Sequence, residues 1–147
     1  MMDMPAAFPP NLTEEQCIVQ ASAHYKAHPL LVQAVRLTEN GRVGKIRMNS
    51  NGSFDMGPMQ INSVHLPTLA NYGITKDMLV RDACLNIYIG TYQLQKEIIL
   101  ARDFWTGVGN YHSKTHGLNV SYQSRVWSNL QRLRAQQGQL MQTGGTQ

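Results

Sequence analysis

Two acidic residues in contrasting settings give this sequence its strongest chemical signal. Glu39 ends an apolar helical segment just before Asn40 and Gly41, and Asp55 follows sixteen residues later in a polar, glycine-containing string. A helix C-terminus and burial both disfavour the charged form of Glu39, so both raise its pKa. One protonated carboxyl group and a second one in a polar setting are what cleavage of a glycosidic bond requires. The sequence therefore predicts an acid role for Glu39, with Asp55 facing it; in isolation, each would read as an ordinary surface acid.

A run of small and amide residues follows Asp55, at residues 57–62. Gly57 would allow close backbone approach, and Gln60 and Asn62 carry amides that suit sugar hydroxyl and N-acetyl groups without adding charge. The two amides are therefore predicted to bind a glycan substrate. The alternative is a loop that returns to the next helix, with its apolar side chains in the core.

Two later tyrosines are candidates for the same cleft. Tyr111 and Tyr122 could each combine stacking on a sugar ring with a hydroxyl donor, although core packing is the alternative for both. His112 and His116 lie four residues apart, but no acidic partner accompanies them. The sequence predicts no metal site and no cofactor.

The elements that must position these residues are mostly helical. The segments before Glu39 and after Asn62 have helical patterning, whereas Asn51-Gly52 is a strong hairpin-turn signal between two short extended segments. Predicted helices cover 13–27, 28–40, 63–72, 75–81, 82–101 and 103–112, and a last helix is capped by Asn119. We expect a flexible N-terminal arm over 1–12, one domain over 13–136 and a disordered tail over 137–147.

Composition limits the classes to which this chain can belong. Its 147 residues suffice for one domain with a working core, and no apolar run approaches the roughly 20 residues of a membrane span. The net charge of +4 suits an anionic polymer, but no dense run of Lys and Arg marks a nucleic-acid face. We expect a monomer without a membrane span or a nucleic-acid partner.

Cys17 and Cys84 lie far apart, and their spacing leaves two alternatives open: two buried free thiols or one disulfide. The first residues lack the basic start and apolar core of a signal peptide. The chain is therefore either cytoplasmic or a mature protein whose signal has been removed.

Taken together, these strings resemble the lytic transglycosylase family of the soluble, goose-lysozyme-like (SLT) type. The closer similarity is to its small periplasmic members associated with secretion systems, pili and conjugation. The residues that carry it are Glu39 at a helix end, the string 57–62, the string 110–112 and Tyr122. The resemblance implies an α+β, mostly α, lysozyme-like fold with a small β-hairpin lobe beside the active-site cleft.

The resemblance also implies roles for individual residues. Glu39 would be the single acid/base, Gln60 with Met59 and the Gly57 backbone would line the sugar sites, and Tyr122 would contact the scissile region. Two positions depart from the family: Asn40 replaces a serine after the acid, and residues 110–112 read Asn-Tyr-His where Ala-Tyr-Asn is usual.

Cys17 and Cys84 occupy positions like those of the disulfide in the secretion-associated subgroup. The resemblance therefore implies that they are bridged, and that the protein acts in the periplasm of a Gram-negative cell after loss of a signal peptide. A secretion-system or pilus component is the partner it implies beside peptidoglycan.

Residues 53–63 also resemble the string of c-type lysozyme in which the Asp is the second catalytic carboxylate, here Asp55. The leading hypothesis is cleavage of the MurNAc–GlcNAc β-1,4 bond with formation of 1,6-anhydro-MurNAc, which locally opens the cell wall. The alternatives are a lysozyme-type hydrolase using Glu39 and Asp55, or a non-catalytic glycan-binding scaffold.

Overall fold

The computed structural model, which describes residues 2–5, 8 and 11–144, combines helices with a small three-stranded antiparallel sheet. The elements follow in the order α1 (Glu14–Tyr25), α2 (Pro29–Glu39), β1 (Ile46–Met48), β2 (Phe54–Met56), β3 (Ile61–Asn62), a 3₁₀ turn (Ser63–His65), α3 (Leu66–Ala70), α4 (Lys76–Arg81), α5 (Ala83–Leu100), α6 (Phe104–His112) and α7 (His116–Gly144). The predicted mostly α, lysozyme-like α+β class is confirmed. No helix within the described residues is both long and apolar enough to cross a membrane.

Helix α5 is the centre of the core. Its residues are buried on nearly every side from Cys84 to Thr91, and Leu94 is fully buried as well. Helices α1 and α6 pack against α5, while α7 packs across both α2 and α6. This arrangement places the C-terminal end of α2, the sheet and the first half of α7 around one open space.

Local signals fix the ends of the first two helices. Thr13 and Gln16 form a capping box, in which each side chain bonds the backbone of the other. Pro29 occupies the first turn of α2, and Asn40 ends that helix in the left-handed conformation at φ 53°. Glu39 is consequently the last helical residue of α2, as predicted.

The hairpin has the predicted position and a third strand that the sequence did not predict. Strands β1 and β2 pair antiparallel about Asn51, with Arg47 opposite Asp55. Strand β3 adds Asn62 opposite Asp55. Because β3 has only two residues, it is too short to show the alternating pattern by which strands are found in a sequence.

The last helix differs from its prediction at both ends. Helix α7 begins at His116, so Asn119 is not its cap; instead its buried amide donates back to Asn110 Oδ1 (2.9 Å) and the Ser113 carbonyl oxygen (2.9 Å). The helix continues to Gly144 where a disordered tail over 137–147 was predicted. A single glycine costs a helix only about 1 kcal/mol, and the Gln, Leu and Met residues that follow Gly138 are good helix formers. Residues 145–147 lie outside the described residues.

The N-terminal arm predicted as flexible packs on the domain in its described parts. Met2 is buried, and the Asp3 carbonyl oxygen accepts a hydrogen bond from the Tyr25 hydroxyl at 2.8 Å. The Phe8 ring lies 4.7 Å from that of Tyr88. The proline content of this segment suggested a flexible arm, but its apolar and aromatic residues give it surface to bury against the domain. Residues 1, 6, 7, 9 and 10 are outside the described set.

A disulfide joins α1 to α5 between Cys17 and Cys84, in agreement with the family resemblance. We expect the double variant Cys17→Ala/Cys84→Ala to lose about 4 kcal/mol of unfolding free energy, since the bridge closes a loop with a sequence separation of 67. Urea unfolding of parent and variant, each with and without dithiothreitol, measures this loss. Reductant should lower the parent midpoint to that of the variant; equal midpoints in all four samples would contradict the prediction.

Candidate active site

One large cleft contains six of the eight residues predicted for catalysis or substrate binding. It has a volume of about 850 Å³, near the upper end of the range for ligand pockets. The predicted residues that line it are Glu39, Asp55, Gln60, Asn62, Tyr111 and Tyr122. They come from four regions of the chain, so the cleft is a product of tertiary packing.

Glu39 lies at the end of α2, in the wall of the cleft. Its pKa is raised to about 7: burial is the largest cause and the nearby Asp55 also raises it, while a hydrogen bond from Tyr122 and the charges of Arg125 and Arg47 lower it. The last turn of α2 is fixed to α7, because Thr38 Oγ1 accepts a hydrogen bond from the Asn129 amide at 2.9 Å. Glu39 is thus a carboxyl group on an anchored helix end, and it exchanges its proton near neutral pH.

Tyr122 contacts Glu39 directly. Its buried hydroxyl donates to Glu39 Oε2 at 2.5 Å across 83 residues of sequence, and burial raises the pKa of that hydroxyl well above its usual value. The His112 ring stacks on the Tyr122 ring, with centroids 4.9 Å apart and an interplanar angle of 9°. Partial burial and the charge of Arg125 lower the pKa of His112. Tyr122 therefore holds one oxygen of Glu39 and leaves the other for a substrate.

Asp55 faces the same cleft from the middle of β2. Its two oxygens accept hydrogen bonds from different amides, Asn62 Nδ2 at 2.9 Å and Asn49 Nδ2 at 3.2 Å. Ser53 Oγ in turn contacts both asparagines. This network orients the Asp55 carboxylate in a polar environment, whereas Glu39 is held in a less polar one.

Gly57 and Met59 lie behind the cleft wall, which corrects their predicted contact with substrate. Both are buried and neither lines the cleft. Gly57 has a φ of +66°, and a side chain there would meet the Asn86 amide. The Met59 side chain lies against Gly90, so these residues support the loop that presents Gln60.

Asn86 is the residue that holds this loop in place. Its amide oxygen accepts from the Met59 backbone N–H at 2.8 Å, and its amide nitrogen donates to the carbonyl oxygens of Met56 (2.8 Å) and Leu79 (2.9 Å). Tyr111 adds a second anchor, since its hydroxyl donates to the Met59 carbonyl oxygen at 2.6 Å. Tyr111 thus lines the cleft while its hydroxyl is engaged by the loop.

Sequence reasoning missed four residues around the acid pair. Asn49 and Asn86 escaped because a lone asparagine has no periodic pattern, and Arg125 because nothing near it in the sequence is acidic. Arg47 had a usable signal: a hairpin centred on Asn51 places it opposite Asp55. Among the described residues, no group of three or more His, Cys, Asp or Glu side chains is arranged to hold a metal ion.

The sequence of the domain matches a known family over the region that builds this cleft. Residues 16–123 match the transglycosylase SLT domain, which includes Glu39, Asp55 and Tyr122. The chain belongs to the transglycosylase SLT domain family. The family predicted from the sequence is confirmed, and membership supports an activity of the lytic transglycosylase type toward peptidoglycan.

Several curated proteins are similar in sequence to this SLT-domain protein over most of its length. Invasion protein IagB of Salmonella typhimurium is 29% identical over 129 residues, which cover 84% of this chain and 81% of that protein. Protein IpgF of Shigella flexneri is 30% identical, with 74% of this chain and 72% of that protein covered. The X polypeptide of Escherichia coli strain K12 is 35% identical, with coverage of 76% and 70%.

Proposed function

We propose that this protein is a peptidoglycan lytic transglycosylase that cleaves the MurNAc–GlcNAc β-1,4 bond and leaves a 1,6-anhydro-MurNAc end. The observation that carries the proposal is the bond from the Tyr122 hydroxyl to a Glu39 carboxyl whose pKa is raised to about 7. A group with that pKa is suited to give and take a proton at neutral pH. In a transglycosylase, one residue must give a proton in the first step and accept a proton in the second.

In the first step, protonated Glu39 donates its proton to the glycosidic oxygen. The bond from C1 of MurNAc to that oxygen breaks, GlcNAc leaves with a free 4-hydroxyl group, and positive charge develops at C1 and the ring oxygen. Asp55 lies on the cleft wall beside Glu39, where its negative charge stabilises this oxocarbenium-like state.

In the second step, ionised Glu39 accepts the proton of the MurNAc 6-hydroxyl group. The oxygen of that group bonds to C1 and closes the 1,6-anhydro ring, so no water enters the product and Glu39 is protonated again. The hydrogen bond from Tyr122 stabilises the ionised carboxylate between the two steps. Gln60 and Asn62 offer amide groups to the sugar on the same wall.

The geometry of Asp55 favours one second candidate function, a lysozyme-type hydrolase. In that reaction the carboxylate of Asp55 would act as nucleophile or stabiliser, and water would complete the cleavage. The two reactions give products that differ by one water. Mass spectrometry of muropeptides released from purified peptidoglycan therefore separates them: anhydro-MurNAc ends support the transglycosylase, and reducing MurNAc ends would replace it with the hydrolase.

We expect Asp55→Asn to lower the rate of glycan cleavage by about a hundredfold while the products keep anhydro ends. This size is typical for removing one group that stabilises transition-state charge. The rate of muropeptide release measures it, and Asp77→Asn is the matched control, because Asp77 is exposed and pairs only with Arg81. Equal rates for Asp55→Asn and the parent would remove Asp55 from the mechanism.

We also propose that the enzyme acts in the Gram-negative periplasm and opens the wall locally for a secretion or pilus apparatus. Similarity to a protein named for invasion supports this assignment. The disulfide supports it too, since such bonds persist in oxidising compartments outside the cytosol. Co-purification of partners crosslinked in whole cells that produce the protein tests it, with recovery of an apparatus component expected and recovery of cytoplasmic proteins alone contradicting it.

A further inference from the structure

The cleft carries more cationic than ionised acidic groups on its walls. Its described lining includes four cationic side chains, Arg47, Lys96, Lys114 and Arg125, against three carboxyl groups, Glu39, Asp55 and Glu97. The pKa of Glu39 is about 7, so this carboxyl group is largely protonated in mildly acidic solution. The cleft therefore offers net positive charge to a substrate, although a neutral glycan would need none.

Arg47 brings one of these charges to the side of Asp55. The two residues are partners across β1 and β2, and the side chains of directly opposed residues project from the same face of a sheet. The oxygens of Asp55 are bonded by Asn49 and Asn62. Among the described residues, Arg47 forms no ion pair with any carboxylate. Its exposed guanidinium is available to a ligand.

Arg125 brings a second charge to the cleft from α7. It lies one turn beyond Tyr122 on α7, with Cζ 5.4 Å from the centroid of the ring whose hydroxyl bonds Glu39. It too is exposed and has no carboxylate partner in the described part of the chain. The charges of both arginines lower the pKa of Glu39, and both line the same cleft as this acid.

Two unpaired arginines beside one reacting centre form an arrangement that a carboxylate would complete. A guanidinium presents parallel N–H donors that match the two oxygens of a carboxylate. MurNAc differs from GlcNAc by its lactyl group, which ends in a carboxylate when free and carries the acidic stem peptide when substituted. We propose that Arg47 and Arg125 form a carboxylate-binding site that selects the MurNAc side of the scissile bond through the acidic groups attached to it.

This inference rests on the proposed function, and its test measures binding without turnover. All variants are made in a Glu39→Gln background, so that a change in the pKa of Glu39 cannot alter the result. The probes are a neutral chitin tetrasaccharide, a peptide-free glycan strand with lactyl carboxylates, and a strand that carries stem peptides. Isothermal titration gives the dissociation constant of each, at low and at high salt.

We expect Arg47→Gln and Arg125→Gln each to weaken binding of a carboxylate-bearing strand about tenfold and to change chitin binding less than twofold. High salt should reduce the difference, because the contact is partly exposed. Arg134→Gln is the matched control: it removes the same charge from an exposed position further along α7, outside the cleft. Arg47→Lys and Arg125→Lys keep the charge and should restore part of the affinity.

The probes also identify the source of the carboxylate. Losses on the peptide-free strand assign the site to the lactyl group, and losses confined to the peptide-bearing strand assign it to the stem peptide. Equal losses on chitin and on the acidic strands, or no loss on any strand that the parent binds, would overturn the carboxylate site and leave the proposed function standing. Failure of the Glu39→Gln protein to bind any of the three probes would overturn both.

Discussion

Glu39→Gln is expected to reduce release of muropeptides from peptidoglycan by at least about a thousandfold. General acid and base catalysis contribute typically a hundred- to ten-thousandfold for one step, and in the proposed mechanism the same carboxyl group serves two consecutive steps. Glutamine keeps the shape of the side chain but carries no proton to give. Mass spectrometry of the released products measures the loss, and Glu15→Gln, an exposed acid on α1, is the matched control.

The pH dependence of the parent enzyme provides a second measurement of the same prediction. Because Glu39 must begin protonated, we expect the cleavage rate to fall as the pH rises through about 7, the value to which burial raises its pKa. An acid with its usual pKa would place this fall more than two pH units lower. A rate that is flat between pH 6 and 8, or an active Glu39→Gln protein, would remove Glu39 from the acid role.

Stability measurements show whether the Glu39→Gln variant is folded. They also test the raised pKa of Glu39, because it predicts how the free energy of unfolding changes with pH. The folded-state pKa of Glu39 lies above the ordinary value of 4.5, so the folded protein gains a proton more readily than the unfolded chain does. Its contribution to stability is fully present below pH 4.5 and is lost as the pH rises through 7. At pH 8 the Glu39→Gln protein should therefore be more stable than the parent, by an amount on the order of 2–3 kcal/mol.

Asn86→Ala is expected to destabilise the protein by about 3–6 kcal/mol. The fully buried Asn86 amide satisfies three backbone groups, those of Met56, Met59 and Leu79, and each would lose its partner. An unsatisfied buried polar group costs roughly 1–3 kcal/mol. Urea unfolding measures the loss, with the exposed Asn71→Ala as a matched control that should stay within about 0.5 kcal/mol of the parent.

The same substitution should also reduce activity in the protein that remains folded. The loop held by Asn86 carries Gln60 into the cleft and leads into β3, which positions Asn62 beside Asp55. Movement of that loop would disturb the amides that orient the Asp55 carboxylate. An Asn86→Ala protein with the urea midpoint of the parent would show that other contacts hold the loop.

Close packing explains why the end of α2 can face this loop at all. A side chain on Gly41 would come within 2.0 Å of the Gly57 carbonyl oxygen and 2.5 Å of the Gln60 amide nitrogen. Glycine at this position lets the end of the helix that bears Glu39 lie directly against the loop. The sequence indicated Gly41 only as the residue after a helix end, which any of several small residues could supply.

The features that depend on neighbouring residues could be predicted from the sequence. Thr13 with Gln16 begins α1, Asn40 ends α2 immediately after Glu39, and Asn51-Gly52 turns the hairpin that bears Asp55. Caps and tight turns are satisfied within a few residues, so their chemistry is legible in the sequence. The position of Glu39 at a helix end was therefore predictable.

How these helices and strands meet could not be predicted from the sequence, because it depends on contacts between residues that are far apart in the chain. The bond from Tyr122 to Glu39 joins residues 83 apart, Arg47 and Arg125 arrive from a strand and a helix, and the burial of Met59 follows from its packing against Gly90 on α5. Burial and the charge of Asp55 raise the pKa of Glu39, and neither can be read from the residues next to Glu39 in the sequence. The position of Glu39 at the end of its helix follows from the sequence, whereas its raised pKa results from the packing of distant elements around it.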